Sequence, residues 1–188
     1  MEKVSTNLGI YLGILHPRTG KLLLIRRKGS KSIIPNVSFR GNWELPGGAV
    51  MATDVPSIIP YNYYFKELSR LLKEKTGMEI KLSGLQPMYS VMFKGPNGYD
   101  YASVVRLITE ETVTIGEGKW VSPKELAVLA EEFKAADEST GKSGEGLLGG
   151  SDKRMHCMAL VTLSGSPNGT YAEEARQMLY AITETWKN

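Results

Sequence analysis

Between Tyr61 and Lys75 the chain is committed to one long helix. Tyr61, Tyr64, Phe65, Leu68, Leu71 and Leu72 recur at helical spacing, and Thr76-Gly77 supplies a stop. Glu67, Arg70 and Glu74 occupy the opposite face. A helix with one apolar stripe must bury it on another element, and on both sides of it the sequence reads as strands. Leu8 to Leu15 and Lys21 to Arg27 flank His16-Pro17-Arg18-Thr19-Gly20, an N-terminal hairpin. Leu85 to Phe93 and Tyr99 to Thr109 flank Lys94-Gly95-Pro96-Asn97-Gly98, a second one. The expected class is therefore α/β in the α+β sense, as a single domain over 1–188.

The remaining segments decorate that frame. Lys28 to Asn42 is a long basic loop, and Ala52 to Pro60 is a second irregular piece. Lys119-Trp120-Val121 is short and extended. Ser122 caps a helix that starts at Pro123 and is expected to run to about Ala136. Five glycines between Gly141 and Gly150 mark a mobile insert at about 137–153. Met155 to Leu163 is an apolar run, and a terminal helix at about 171–186 carries Ala175, Met178, Leu179 and Ile182.

Composition narrows the function. Twenty-three Lys+Arg against twenty Asp+Glu give a formal charge of +3, too small and too mixed for the footprint of a nucleic-acid binder. Cys157 is the only cysteine, so neither an internal disulfide nor a cysteine-only metal site can form. The first residues lack the basic start and apolar run of an export signal, and no stretch approaches the roughly 20 apolar residues of a membrane span. A soluble protein of the reducing cytoplasm is expected, with no membrane partner; a homodimer is compatible with this.

Trp43-Glu44-Leu45-Pro46-Gly47-Gly48, the helix exit Arg70-Leu71-Leu72-Lys73-Glu74-Lys75-Thr76-Gly77-Met78, and Lys119 to Leu126 come in an order that resembles the Nudix hydrolase superfamily, over about residues 8 to 135. The resemblance implies a mixed β-sheet sandwiched between α-helices. It also implies carboxylates on the box helix that hold Mg²⁺ or Mn²⁺ against the diphosphate of a nucleoside diphosphate linked to another group. Such an ion cancels phosphate charge and lowers the pKa of a bound water.

Position by position the signature box is degenerate. Gly48 takes its first place and Asp54 the early glutamate place, but fifteen residues rather than seven separate Asp54 from Arg70. Arg70 matches the box arginine; Leu71 stands where the box has glutamate. Glu74 matches the first of the paired glutamates and Lys75 replaces the second. Glu67 lies one turn before Leu71, yet its seven-residue separation from Glu74 is about 10 Å along the axis, too far for one ion to be shared easily. Lys75 disfavours a cation and could pair with phosphate directly.

By resemblance the catalytic candidates are Glu74, Arg70 and Asp54. The metal candidates are Gly48, Glu74 and the loop acid Glu117. Substrate would be held by Arg26, Arg27, Trp43, Gly47, Gly48 and Lys75. Glu44 is expected to fasten strand to helix through a salt bridge to Arg70. Gly141-Lys142-Ser143 satisfies a permissive phosphate-loop pattern but follows a helix instead of a strand, and is set aside. His16 reads as a turn residue, His156 as core and Cys157 as a buried small hydrophobe. Two functions follow: hydrolysis of a nucleoside-diphosphate derivative by metal-assisted attack of water on phosphorus, or non-catalytic binding of a nucleotide or phosphorylated ligand as a sensor or interaction domain.

Overall fold

The computed structural model describes residues 5–29, 38–50, 61–79, 85–95, 98–148 and 153–185. In chain order the elements are β1 (Ser5–Leu15), β2 (Leu22–Arg26), β3 (Trp43–Glu44), β4 (Gly47–Val50), α1 (Tyr61–Thr76), β5 (Gln86–Gly95), β6 (Gly98–Ile108), β7 (Gly118–Val121), α2 (Pro123–Glu131), α3 (Arg154–Ser164) and α4 (Ala172–Glu184). One mixed sheet contains all seven strands, in the order β3-β2-β1-β6-β5, with β4 also pairing with β1 and β7 with β2.

β1 is the spine. Its whole length runs parallel to β6, from Ser5↔Gly98 to Leu15↔Ile108, which is why it begins earlier than its apolar run. On its other edge β4 pairs antiparallel with Leu8 to Tyr11, and β2 joins only at Leu15↔Leu22. The first hairpin closes as expected. His16 N–H donates to the Lys21 carbonyl at 2.9 Å, and His16 Nδ1 accepts from the Arg18 and Thr19 amides at 3.2 Å, so His16 is a turn residue.

Both faces of the sheet are apolar, because successive strand residues point to opposite sides. Ile10, Leu12, Ile14, Leu23, Val105 and Leu107 pack with Leu68 and Leu72 of α1. Leu22, Leu24, Val104 and Val121 pack with Leu126 and Leu129 of α2, with Met155, Met158, Ala159, Leu160 and Leu163 of α3, and with Ala175 of α4. The sheet is thus sandwiched between helices.

Two boundaries differ from expectation. The run 155–163 is a helix buried nearly all round, so it shows no amphipathic period by which sequence alone would separate helix from strand. α2 ends at Glu131, not near Ala136, because the next residues are extended: Lys134 bridges Glu145, Ala136 bridges Ser38 and Asp137 bridges Lys142. The expected glycine-rich insert is, over its described part to Leu148, bonded back onto the fold. Leu147 is fully buried, Trp43 N–H donates to the Gly146 carbonyl at 2.9 Å, and Leu148 N–H donates to the Trp43 carbonyl at 2.8 Å. Among the described residues no helix is long and apolar enough to cross a membrane.

Candidate functional site

The Pro46-Gly47 bend joins β3 to β4 and lies hard against β1. Leu12 N–H donates to the Pro46 carbonyl at 2.7 Å, and a Cβ on Gly47 would stand 2.2 Å from the Ile10 carbonyl oxygen. With φ at +151° as well, that position requires glycine. The bend carries Gly48 over the end of α1, where the nearest atoms to an added Cβ are Lys75 Nζ at 3.8 Å and Leu71 Cδ2 at 3.9 Å. The helix residues presented to the bend are therefore a cation and an isobutyl group.

Glu44 is the buried charge of this site, its side chain 2% exposed. Oε1 accepts from Lys75 Nζ at 2.7 Å and Oε2 accepts from Arg27 at 2.8 Å. This corrects the expected Glu44–Arg70 bridge. Five residues on a helix rotate by about 140° from Lys75, so Arg70 faces away from the bend. Its guanidinium instead joins Glu67 Oε2 at 2.8 Å to Glu74 Oε1 at 2.7 Å, filling the gap between the two acids, and both bonds hold its proton more firmly than usual. Glu74 is over half exposed and turned to Arg70.

Arg26 and Arg27 lie on opposite faces of β2. Arg27 shares the α1 face with Glu44. Arg26 is the register partner of Trp43, and Lys119 that of Leu24, so these three project to the other face. Arg26 donates from Nε to the Gly41 carbonyl at 3.0 Å and pairs with Glu117 at 3.0 Å. Glu117 is thus occupied by Arg26, as Glu74 is by Arg70. Around Arg26 lies a cleft of about 450 Å³, lined also by Trp43, Lys119, Leu129, Lys134 and Glu145.

Of the residues singled out from the sequence, the structure brings Gly47, Gly48 and Lys75 together with Arg27, and Trp43 together with Arg26. Glu74, Arg70 and Glu117 lie outside the first group, and Asp54 lies outside the described residues. Sequence reasoning missed Lys119, Lys134 and Asn42. Asn42 is fully buried and donates from Nδ2 to the carbonyls of Lys134 and Glu145, tying the 133–148 segment to the start of β3. The only sequence signal for it was an Asn between Gly41 and Trp43, which reads equally well as a turn.

The donor chemistry does not suit Mg²⁺ or Mn²⁺. Hard divalent ions need several carboxylate or carbonyl oxygens, whereas both oxygens of Glu44 already accept from cations and Leu71 offers none. Among the described residues no group of three His, Cys, Asp or Glu side chains is placed to hold an ion.

No family model matches the chain, and no curated protein matches it. Solved structures of the Nudix superfamily are similar to it. They include a MutT protein from Methanosarcina mazei Go1 at 22% identity, covering 67% of this chain and 83% of that one, with a TM-score of 0.48. A MutT/nudix family protein from Enterococcus faecalis is 24% identical, with a TM-score of 0.47; 64% of this chain is covered, but only 45% of that one. The Nudix domain of Shewanella oneidensis NrtR, solved with ADP ribose, is 18% identical over 68% of this chain and 77% of that one, with a TM-score of 0.45.

Proposed function

We propose that this chain is a Nudix-like domain of the cytoplasm that binds a phosphorylated, nucleotide-like small molecule without hydrolysing it. The observation that carries the reading is the Arg26–Trp43 pair. Strand register puts a guanidinium and an indole side by side on one face, with Lys119 two positions along that face and Leu129 beneath. An aromatic plane and nearby cations suit a ligand with a flat base and an anionic group. The Lys119 side chain makes no ion pair or hydrogen bond among the described residues, so its charge is available to such a ligand. The cleft volume falls within the range typical of small-molecule sites.

Hydrolysis is the less supported of the two activities, because the carboxylates it would use point at arginines instead of at one another. Thermal shift and calorimetry with ADP-ribose, dinucleotides and nucleotide sugars test the proposal. A ligand that binds only the folded state raises its melting temperature. The expected result is a shift that survives EDTA, is lost in Trp43→Ala/Lys119→Ala, and comes without product on chromatography. Mg²⁺-dependent turnover, or no shift with any of these ligands, overturns it.

A further inference from the structure

We infer that Asn42 is a positioning residue for the cleft: it clasps the ribbon 134–145, and with it Lys134 and Glu145, into the arrangement that a ligand binds, an inference that rests on the small-molecule reading of this cleft. The ribbon follows α2 and turns back on itself, with Lys134 facing Glu145 and Asp137 facing Lys142 in antiparallel pairs. Asn42 does not line the cleft. Its Nδ2 donates to the Lys134 carbonyl at 3.0 Å and to the Glu145 carbonyl, so one buried amide grips both strands at their first cross-ribbon pair. Each of those carbonyls also accepts from the facing residue's N–H, at 2.9 and 3.0 Å. Removing Asn42 therefore frees the ribbon without unmaking it.

Little else holds the ribbon down. Residues 137–143 are exposed. Outside the clasp, its ties to the 38–41 segment among the described residues are Ala136 N–H to the Ser38 carbonyl at 2.9 Å, Gly144 N–H to the Arg40 carbonyl at 2.6 Å, and an exposed Arg40 bond to the Gly141 carbonyl. Its two ends, by contrast, are fixed. Phe133 lies against Phe39 with ring centroids 6.2 Å apart, and beyond Gly146, at φ +72°, Leu147 is fully buried. The clasp is also incomplete. Asn42 Oδ1 is buried and accepts no hydrogen bond among the described residues, and it lies where a Cβ on Gly144 would approach to 2.3 Å. An unbonded buried carbonyl disfavours the closed state relative to one in which water reaches it. A ligand that touches Lys134 or Glu145 shifts the balance toward closure, and its affinity falls with the closed fraction.

Hydrogen exchange of the full chain, followed by NMR with and without each of ADP-ribose, dinucleotides and nucleotide sugars, is paired with calorimetry of the same ligands. Without ligand, the Ala136 and Gly144 amides should exchange at least about tenfold faster than those of β1 and β6, because few buried contacts guard them. A bound ligand at about ten times its Kd should slow them by about tenfold. Asn42→Ala should speed the ligand-free exchange of these two amides and weaken binding by about tenfold, with β1 and β6 unchanged. Gly144→Ala, which drives a methyl group against Asn42 Oδ1, should do the same. Lys119→Ala should weaken binding and leave ligand-free exchange as it was. Ribbon amides as slow as those of β1, binding without their protection, or full affinity in a folded Asn42→Ala protein overturns the inference and leaves the cleft reading standing. No binding of any of these ligands removes that reading and the inference with it. If neither ribbon variant folds, the exchange of the unaltered chain still decides.

Discussion

Gly13 of β1 and Thr162 of α3 are in direct contact: a methyl group on Gly13 would stand 2.4 Å from Thr162 Cγ2 and 2.7 Å from its Oγ1. The helix approaches the sheet spine where Gly13 leaves room for it. Thr162 is itself fully buried, with its hydroxyl donating to the Met158 carbonyl at 2.9 Å, so it cannot swing aside. Gly13→Ala should therefore cost about 1–3 kcal/mol by overpacking. Urea denaturation measures it. The double variant Gly13→Ala/Thr162→Ala should recover part of the loss, a coupling on the order of 1 kcal/mol between touching residues. Strict additivity would show that the contact is not the cause.

Glu44 is held by two cations while nearly out of water. Replacing it with Gln leaves the Lys75 ammonium and the Arg27 guanidinium facing each other without their common anion. Removal of one partner from a buried pair typically costs about 3–5 kcal/mol; Arg27 and Lys75 keep some access to water, so the lower end is expected here. Glu44→Gln should lower the urea midpoint accordingly, and high salt should recover part of it by screening the two cations from each other. A loss under about 1 kcal/mol would mean that the three charges are solvated much like a surface pair.

The elements legible in the sequence are those whose burial is one-sided or whose ends carry specific chemistry. α1 has an apolar stripe and a Thr76-Gly77 stop, where Thr76 Oγ1 donates to the Leu72 carbonyl at 2.8 Å and Gly77 takes φ of +74°. α2 begins at its expected cap, with Ser122 and Glu125 bonded reciprocally. The same Ser122 amide, followed by Lys21, holds the Glu125 carboxyl below its ordinary range. α3 was not legible as a helix because nearly every side is buried. At the site, Gly48 and Lys75 could be named from their places in a motif. The partners of Glu44 could not, since the choice between Arg70 and Lys75 depends on how α1 is rotated over the sheet, which Leu68 and Leu72 decide by packing. The cleft was invisible for a related reason: the chain that lines part of it, around Lys134 and Glu145, returns to β3 through the buried Asn42 side chain and through backbone bonds of Trp43 with Gly146 and Leu148, none of which has a pattern in the sequence.

Arg70 offers a contrast to Glu44. Its pairs with Glu67 and Glu74 have good distances but are open to water, with Arg70 half exposed. Exposed i,i+3 and i,i+4 pairs contribute about 0.2–1 kcal/mol. Arg70→Ala should therefore shift stability by less than about 1 kcal/mol, mostly at low salt, and should leave ligand binding in the cleft unchanged. A large loss of binding in this variant would put Arg70 and Glu74 back at the centre of the chemistry.

The remaining expectation concerns pH. His156 lies in the first turn of α3, and burial, reinforced by the charge of Lys153, lowers its pKa from 6.5 to about 4. The positive end of the helix dipole there opposes protonation in the same direction. An unfolded chain takes up this proton near pH 6.5, whereas the folded one refuses it until about pH 4. Between those values the unfolded state binds more protons, so stability rises with pH. The contribution is fully present above pH 6.5 and is lost progressively as pH falls toward 4. Carboxylates with lowered pKa, such as Glu125, Glu79 and Asp137, start from 4.5 or below, so most of their contribution is lost at the acid end of this window and beneath it, below the pH 5 used for the comparison. Urea midpoints at pH 7.5 and pH 5 should thus differ, with the higher midpoint at pH 7.5. His156→Gln, which cannot titrate, should flatten that difference; an equally steep profile in the variant would assign the pH dependence to another group.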